Sequence, residues 1–259
     1  MKNTLLDIVE AFKLWRFWLI LSKFDIIKKY KRSFLGPWWI SLSTLILILS
    51  ISFIYSGLFG LDFKKYILSL SLNLMIWFLI RDCIVESCSS LIESKNFLSN
   101  EKFNLIIFTL RVMIRNCIIF SHNILIFVVI FFIYSDFKII FFLISLFSFL
   151  LLLIFLLPIC ISLSILGTRF RDVQMIITNL MQFLFFVSPI LFTKTILLEL
   201  EWIIIINPIA LFLLSISEPI NLGIVNIMYF QILFLYLFFA NLILVIVYQK
   251  YKSNIKYWL

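Results

Sequence analysis

The chain has 259 residues, of which 64% are hydrophobic, and its mean hydropathy is +1.16. Soluble domains are about half apolar, so this composition excludes a water-soluble protein and predicts a single membrane domain over residues 1–259. The net charge of +9 comes from cations that cluster beside apolar runs. This arrangement is typical of positive-inside topology and argues against a nucleic-acid partner.

Residues 1–35 precede the first apolar run of spanning length. Apolar residues at steps of three and four predict an amphipathic helix in the membrane interface, and they are Leu5, Ile8, Phe12, Trp15 and Leu19. The alternative is a helix packed on the protein itself. The segment lacks the pattern of a signal peptide, so we expect it to remain on the mature protein.

A basic segment joins this helix to the membrane body, residues 36–259. Lys28, Lys29, Lys31 and Arg32 lie just before an uncharged run, and cations beside a first span stay cytoplasmic, so we expect a cytoplasmic amino terminus. The pair Gly36 and Pro37 is expected to break any helix that arrives from upstream.

Six runs have about the 20 apolar residues that cross the roughly 30 Å hydrocarbon layer. They are residues 38–61, 66–92, 105–134, 137–166, 173–192 and 224–248. Pro158 is expected to kink the fourth run, because an interior proline lacks the N–H that the helix needs.

Residues 193–223 contain two shorter apolar pieces, 202–206 and 209–216, separated by Asn207 and Pro208. Counting them as a seventh span would put the basic tail outside, against the positive-inside rule. We therefore expect re-entrant or interfacial half-helices on the outer face, six spans, and both termini in the cytoplasm. Irregular backbone is tolerated at membrane depth where it is buried in protein.

Three segments carry a family resemblance. The first is Asp25, Tyr30, Lys31-Arg32-Ser33, Leu35-Gly36 and Trp38; the second is the polar loop 93–103; the third is Gly167-Thr168-Arg169-Phe170-Arg171-Asp172, followed by residues 185–190 and Asn207-Pro208. Together they resemble permease subunits of type-2 ABC exporters, nearest to those that export O-antigen, capsule and teichoic-acid polysaccharides. Asn104 stands where related permeases usually carry Pro, so a different local shape is expected there.

The resemblance implies a set of residues that press on an ATPase subunit. They are Asp25, Lys29, Tyr30, Arg32, Glu93, Lys95, Glu101, Lys102, Arg169, Arg171 and Asp172. Two plainer interpretations remain open. The loop 93–103 would be an ordinary solvated hairpin, and the two arginines after Thr168 would anchor a turn to the headgroups while Asp172 caps the next helix.

Charged residues also lie inside or beside the second and third runs. These are Arg81, Asp82 and Glu86 in the second run, opposite Arg111 and Arg115 in the third. A lone charge inside a membrane costs about 2.5 to 3.5 kcal/mol, so we expect these acids and bases to pair. The alternative is that the arginines snorkel to the interface. No acid lies near His122 in the sequence, which favours a polar helix contact over a proton relay.

Aromatic residues could line a polysaccharide path, because a sugar chain can slide over ring faces without a deep binding well. The candidates are Tyr30, Trp38, Trp39, Phe53, Tyr55 and Trp77. Their spacing does not separate this role from lipid-facing packing. The four cysteines lack C-x-x-C spacing, which favours packing residues over metal ligands or disulfides.

The five glycines permit no G-x-x-x-x-G-K-[ST] loop, so we expect no ATP site and no cofactor in this chain. The resemblance implies an all-α homodimer with two ATPase copies that hold ATP and Mg²⁺. It also implies export of an undecaprenyl-linked polysaccharide, O-antigen or capsule, across a bacterial inner membrane, with Asn207 and Pro208 at an outer gate. The alternatives are an exporter of teichoic acid, a small lipid or a drug, an integral membrane transferase acting on lipid carriers, and a structural assembly protein.

Overall fold

The computed structural model describes residues 2–36, 38–100, 104–134, 138–192 and 201–259. Within these ranges the regular structure is helical. The helices are α1 (Lys2–Lys13), α2 (Trp15–Tyr30), α3 (Trp38–Phe59), α4 (Phe63–Ser87), α5 (Ser90–Glu93), α6 (Lys95–Asn100), α7 (Ile106–Tyr134), α8 (Ile139–Arg169), α9 (Val173–Val187), α10 (Glu201–Ile206), α11 (Pro208–Leu222), α12 (Ile227–Tyr251) and α13 (Ile255–Trp258), with a 3₁₀ turn at Lys252–Asn254.

Five helices in the described ranges are long and apolar enough to cross a membrane, namely α3, α4, α7, α8 and α12. They match five of the six predicted runs, and the chain is an integral membrane protein. The second run was predicted to reach residue 92, but α4 ends at Ser87 and a separate short helix, α5, follows. Pro158 lies inside α8, which continues on both sides of it.

The helix of the fifth predicted run is shorter than expected. α9 has 15 residues, about 22 Å at 1.5 Å per residue, against the roughly 30 Å of a hydrocarbon layer. Pro189, just beyond its end, supplies no N–H. The carbonyls beyond the helix are held from α4, because Pro189 O accepts from Asn73 Nδ2 at 3.2 Å and Leu191 O accepts from the Tyr66 hydroxyl at 2.7 Å.

The amino-terminal segment forms two helices where one was predicted, with a break at Leu14. The Trp18 indole N–H donates to Ala11 O at 3.1 Å and so ties α2 to α1. α2 packs along α7, as the alternative for this segment described. α1 leaves Leu5 and Phe12 exposed, which suits a helix at an apolar interface.

The ends of several helices meet at one end of the molecule, here called the α1 end. α1 contacts α7 and α12, while α5 contacts α7 and α8, and α13 contacts α8. The starts of α4 and α8 therefore lie at the opposite end, here called the far end. Two helices that start at the far end have polar N-caps. Asp62 caps α4 and Asn226 caps α12, each by accepting a hydrogen bond from a backbone N–H group.

The core is built around α4 and α11. Both helices are largely buried, and α11 contacts α4, α8 and α12. A second cluster of buried apolar side chains lies at the α1 end, where Trp18, Phe108 and Tyr248 come together. The two pieces predicted around Asn207 correspond to α10 and α11, although α11 runs on to Leu222.

Candidate functional site

Four charged side chains from three helices meet near the α1 end. Arg111 on α7 donates to both carboxylate oxygens of Asp25 on α2. Its Nε lies 2.6 Å from Oδ2, and its Nη2 contacts Oδ1. Arg115, one turn further along α7, reaches Asp25 at 3.3 Å and Glu86 on α4 at 2.8 Å. Asn116 donates to the same Glu86 oxygen at 2.8 Å. These five residues are called the Asp25 cluster.

The cluster is electrically balanced and mostly shielded from solvent. Asp25 is 16% exposed and each arginine 18%, while Glu86 is 37% exposed. Two guanidinium groups face two carboxylates, and paired N–H donors on one carboxylate form the stronger kind of hydrogen bond. The backbone is fixed as well, since the Ser22 hydroxyl donates to Arg111 O at 2.8 Å. The cluster therefore joins α2, α7 and α4 through directional contacts.

The structure brings Glu86 and Arg115 together across α4 and α7, the geometry expected from antiparallel neighbours. Arg81 instead pairs with its neighbour Asp82, at 2.7 Å between Nη2 and Oδ1. The sequence reasoning missed Asp25 as the partner of Arg111. The available signal was that Asp25 is an acid among lysines, Lys23 and Lys28. No spacing rule, however, pairs Asp25 with Arg111, because the two residues are far apart in the chain.

Most of the other residues expected to contact an ATPase are exposed. Lys29, Arg32, Glu93, Lys95 and Arg171 all lie on the surface. Glu93, the last residue of α5, accepts a hydrogen bond from the hydroxyl of Ser89, the residue before that helix, at 2.7 Å. Glu101 and Lys102 lie outside the described residues.

Tyr30 ends α2 half-buried, with the Lys29 ammonium 5.9 Å from its ring centre. Burial raises the pKa of the Tyr30 phenol above its ordinary value. Asp172 occupies the position before α9 but makes no side-chain capping bond. The expected Asp172 cap is therefore wrong, because the Asp172 backbone is already helical there and does not turn its carboxylate towards the first N–H groups.

Arg169 packs among aromatic rings at the end of α8. Its guanidinium lies 4.8 Å from the ring centres of Phe170 and Tyr251 and 5.4 Å from that of Trp258. Such cation–π contacts hold a planar guanidinium over rings. The carboxy-terminal segment is thereby fastened to the turn between α8 and α9.

A second polar junction fastens α1 to the rest of the α1 end. Asp7 accepts from the Tyr248 hydroxyl at 2.8 Å and pairs with Lys252. The Asp7 carbonyl accepts from Asn104 Nδ2 at 2.6 Å, and Asn104 Oδ1 accepts from Ile106 N at 3.1 Å at the start of α7. A proline at position 104 could not make these side-chain contacts.

The aromatic candidates do not share one environment. Trp38, Trp39 and Phe53 are exposed on α3, and Tyr55 is half-buried. Trp77 is only 2% exposed and packs against Phe185 with ring centres 5.5 Å apart. A ring so enclosed leaves no free face for a sugar in this subunit.

The polar contact of His122 lies within its own helix, α7, and its contact with α3 is aromatic. Its Nδ1 lies 2.8 Å from Ile118 O, and its ring meets Trp38 edge-on with centroids 5.8 Å apart.

The four cysteines are free thiols, and burial raises the pKa of Cys88, just beyond α4, to about 11. The described residues contain no group of three or more His, Cys, Asp or Glu that could hold a metal ion.

Asn207 is buried between α10 and α11. Its Oδ1 accepts from the N–H groups of Ile209 and Ala210, at 3.0 and 3.3 Å, so it caps α11. Its Nδ2 donates to the Ser188 hydroxyl at 2.8 Å. Pro208 follows as the first residue of α11, where the missing N–H costs nothing.

The chain is similar to two proteins of Klebsiella pneumoniae, each named O-antigen export system permease protein RfbA. One is 24% identical over 241 residues, 92% of both chains; the other is 23% identical over 236 residues, 90% of this chain and 91% of the relative. The chain thus resembles O-antigen export permeases along nearly its whole length. This confirms the resemblance that the three segments predicted. No family model matches the chain.

Proposed function

We propose that this chain is the transmembrane permease subunit of an ATP-driven ABC exporter that moves a lipid-linked polysaccharide, O-antigen or capsule, across the bacterial inner membrane. The observation that carries this proposal is the end-to-end similarity to two proteins named as O-antigen export permeases. Their names describe transport and not group transfer, which favours a permease over a membrane transferase.

We infer a topology of six crossings with both termini in the cytoplasm. α8 and α12 both end at the α1 end, since α13 contacts α8 and Asp7 on α1 contacts Tyr248. The chain between them must then cross to the far end once. Contacts of Leu191 with Tyr66, near the start of α4, support this crossing within residues 173–192.

The same contacts support a re-entrant pair formed by α10 and α11. α11 ends beside the start of α8, because the Ser145 hydroxyl donates to Ile216 O at 2.7 Å. α11 has 15 residues, so Asn207 at its start lies about 22 Å from that end. A buried, capped break at such depth suits a short hairpin held in protein. We infer that Asn207 and Pro208 lie at the inner tip of this hairpin, which enters from the outer face and forms the outer gate.

In this proposal ATP hydrolysis is supplied by a separate ATPase subunit. Two copies of the chain form a homodimer, which binds two copies of that ATPase, and the ATPase copies hold ATP and Mg²⁺. The charges that lie on the surface would face that partner, and they are Lys29, Arg32, Glu93, Lys95 and Arg171. A push on α2 would reach α7 and α4 through the Asp25 cluster, because its bidentate contacts resist sliding.

The exposed rings of Trp38, Trp39 and Phe53, together with Tyr55 and Tyr30, are proposed to contact the polymer. They lie on α3 or on the segment that leads to it. The exposure of Trp38, Trp39 and Phe53 in a single subunit suits surfaces that face a path between two copies. Trp77 is left out of this set because its ring is enclosed.

The test is export in cells that lack their own O-antigen permease. The chain is expressed with its candidate ATPase, and surface polymer is quantified with a polymer-specific antibody. The proposal predicts display with the active ATPase and none with an ATPase whose Walker A lysine is changed. Display without an active ATPase, or no display at matched membrane levels of both subunits, would overturn it.

A further inference from the structure

A cleft of about 230 Å³ lies between α3, α4 and α7, next to the Asp25 cluster. Six polar side chains line it, and they are Ser43, Thr44, Arg81, Asp82, Asn116 and Asn123. Asn116 belongs to the Asp25 cluster as well, through its bond to Glu86. Charged residues are rare within membrane-spanning helices, where they usually pair with one another or face a water-filled cavity.

The charge in the cleft is already balanced. Arg81 binds Asp82 through Nε at 2.8 Å and through Nη2 at 2.7 Å, and both contacts fall on the same oxygen, Oδ1. The guanidinium is therefore a poor site for an anion, because a phosphate or a carboxylate would compete with Asp82. The second oxygen of Asp82 can still accept a hydrogen bond from a neutral donor.

Amide and hydroxyl groups complete the lining. The Ser43 and Thr44 hydroxyls donate to Trp39 O and Ile40 O within α3, so towards a ligand they act as acceptors. Asn123 Oδ1 accepts from the Ser41 hydroxyl at 3.1 Å, which orients its amide so that the nitrogen can donate two hydrogen bonds. The pair Arg81 and Asp82 is 44% and 31% exposed, so it is reachable from the cleft. A ligand rich in hydroxyl groups, each both donor and acceptor, matches this lining.

Two aromatic rings give the cleft apolar walls. Phe120 stacks on Phe149 with ring centres 5.0 Å apart, and Phe78 carries the Arg81 guanidinium 4.9 Å from its centre. Both rings are thus held in place. The volume is below the roughly 300 to 1,000 Å³ of pockets for drug-sized ligands, so the cleft suits a single sugar ring better than a longer segment.

We propose that this cleft binds one uncharged sugar residue of the transported chain. The inference rests on the proposed function and adds a specific subsite to it. Binding there would be linked to the Asp25 cluster through Asn116, which contacts both. Occupancy by substrate and the position of α2 would then affect each other.

The first test uses a photoreactive amino acid at Ile119, which lines the cleft, in cells that export the polymer. The matched control carries it at Leu125, which is exposed on the same helix. After irradiation the purified chain is probed with a polymer-specific antibody. At least ten-fold more captured polymer at Ile119 is expected, and equal capture at the two positions would overturn the inference.

The second test fills the cleft. Ser43→Trp is expected to reduce surface polymer at least ten-fold, whereas Ser50→Trp, at an exposed position two turns further along α3, should change it less than two-fold. Membrane levels of both variants are measured. Normal export by S43W would overturn the inference, while failure of the unmodified chain to export polymer would overturn the proposed function itself.

Discussion

Asp25→Asn removes the carboxylate that holds Arg111 and Arg115 while nearly preserving the shape of the side chain. All three side chains are only 16 to 18% exposed, so the two arginines would lose a shielded partner. Removing one partner of a buried ion pair costs about 3 to 5 kcal/mol, and residual solvent contact puts this change near the lower value, about 3 kcal/mol. For a chain of this size that corresponds to a fall in Tm of about 6 to 12 °C.

The assay is thermal unfolding of the purified protein in detergent, followed by intrinsic tryptophan fluorescence. Asp172→Asn is the matched control, because Asp172 is exposed and makes no side-chain capping bond. Its Tm should change by less than about 2 °C, since exposed substitutions stay within about 0.5 kcal/mol. Equal shifts in the two variants would refute the account of the Asp25 cluster.

Other substitutions test the packing. Gly167→Ala would place a Cβ 2.1 Å from the backbone oxygen of Cys88, so a loss of about 1 to 3 kcal/mol or more is expected. Gly57→Ala meets open space and should not lower Tm, so equal losses would contradict this contact. Asn207→Ala should lower stability by more than the roughly 1 kcal/mol of a lost cap, because Ser188 also loses its partner. Asn226→Ala loses only an exposed cap, and a larger effect there would contradict the buried role of Asn207.

The spanning helices were predictable because their signal is local. An uninterrupted apolar run of sufficient length is required of any helix that crosses a membrane, and α3, α7 and α12 follow such runs within three residues at each end. The length of α9 was not predictable in the same way. Apolar residues continue past Val187, and hydropathy does not register that Pro189 removes an N–H.

The candidate site was predictable only in part, because its contacts join distant parts of the chain. Glu86 and Arg115 could be paired by placing them at the same depth on neighbouring antiparallel helices. To pair Asp25 with Arg111, one must know that α2 packs along α7 and does not lie flat beside the bundle. The enclosure of Trp77 likewise depends on how α9 packs against α4.

The cation–π contacts of Arg169 also could not be predicted from the sequence, because they join distant parts of the chain. Its rings come from the residue that follows it and from Tyr251 and Trp258, more than 80 residues later in the chain. From the sequence, Arg169 could be assigned to headgroup anchoring or to contact with a partner. The structure adds a third contact, to the carboxy-terminal segment, which neither expectation contained.

The most direct measurement is polymer transport in inverted membrane vesicles that contain this chain and its candidate ATPase. ATP is added outside, and lipid-linked polymer that becomes protected from an external glycosidase is quantified. If the chain is the permease of an ATP-driven exporter, this protection needs both subunits and hydrolysable ATP. Equal protection without ATP, or with the ATPase omitted, would contradict it.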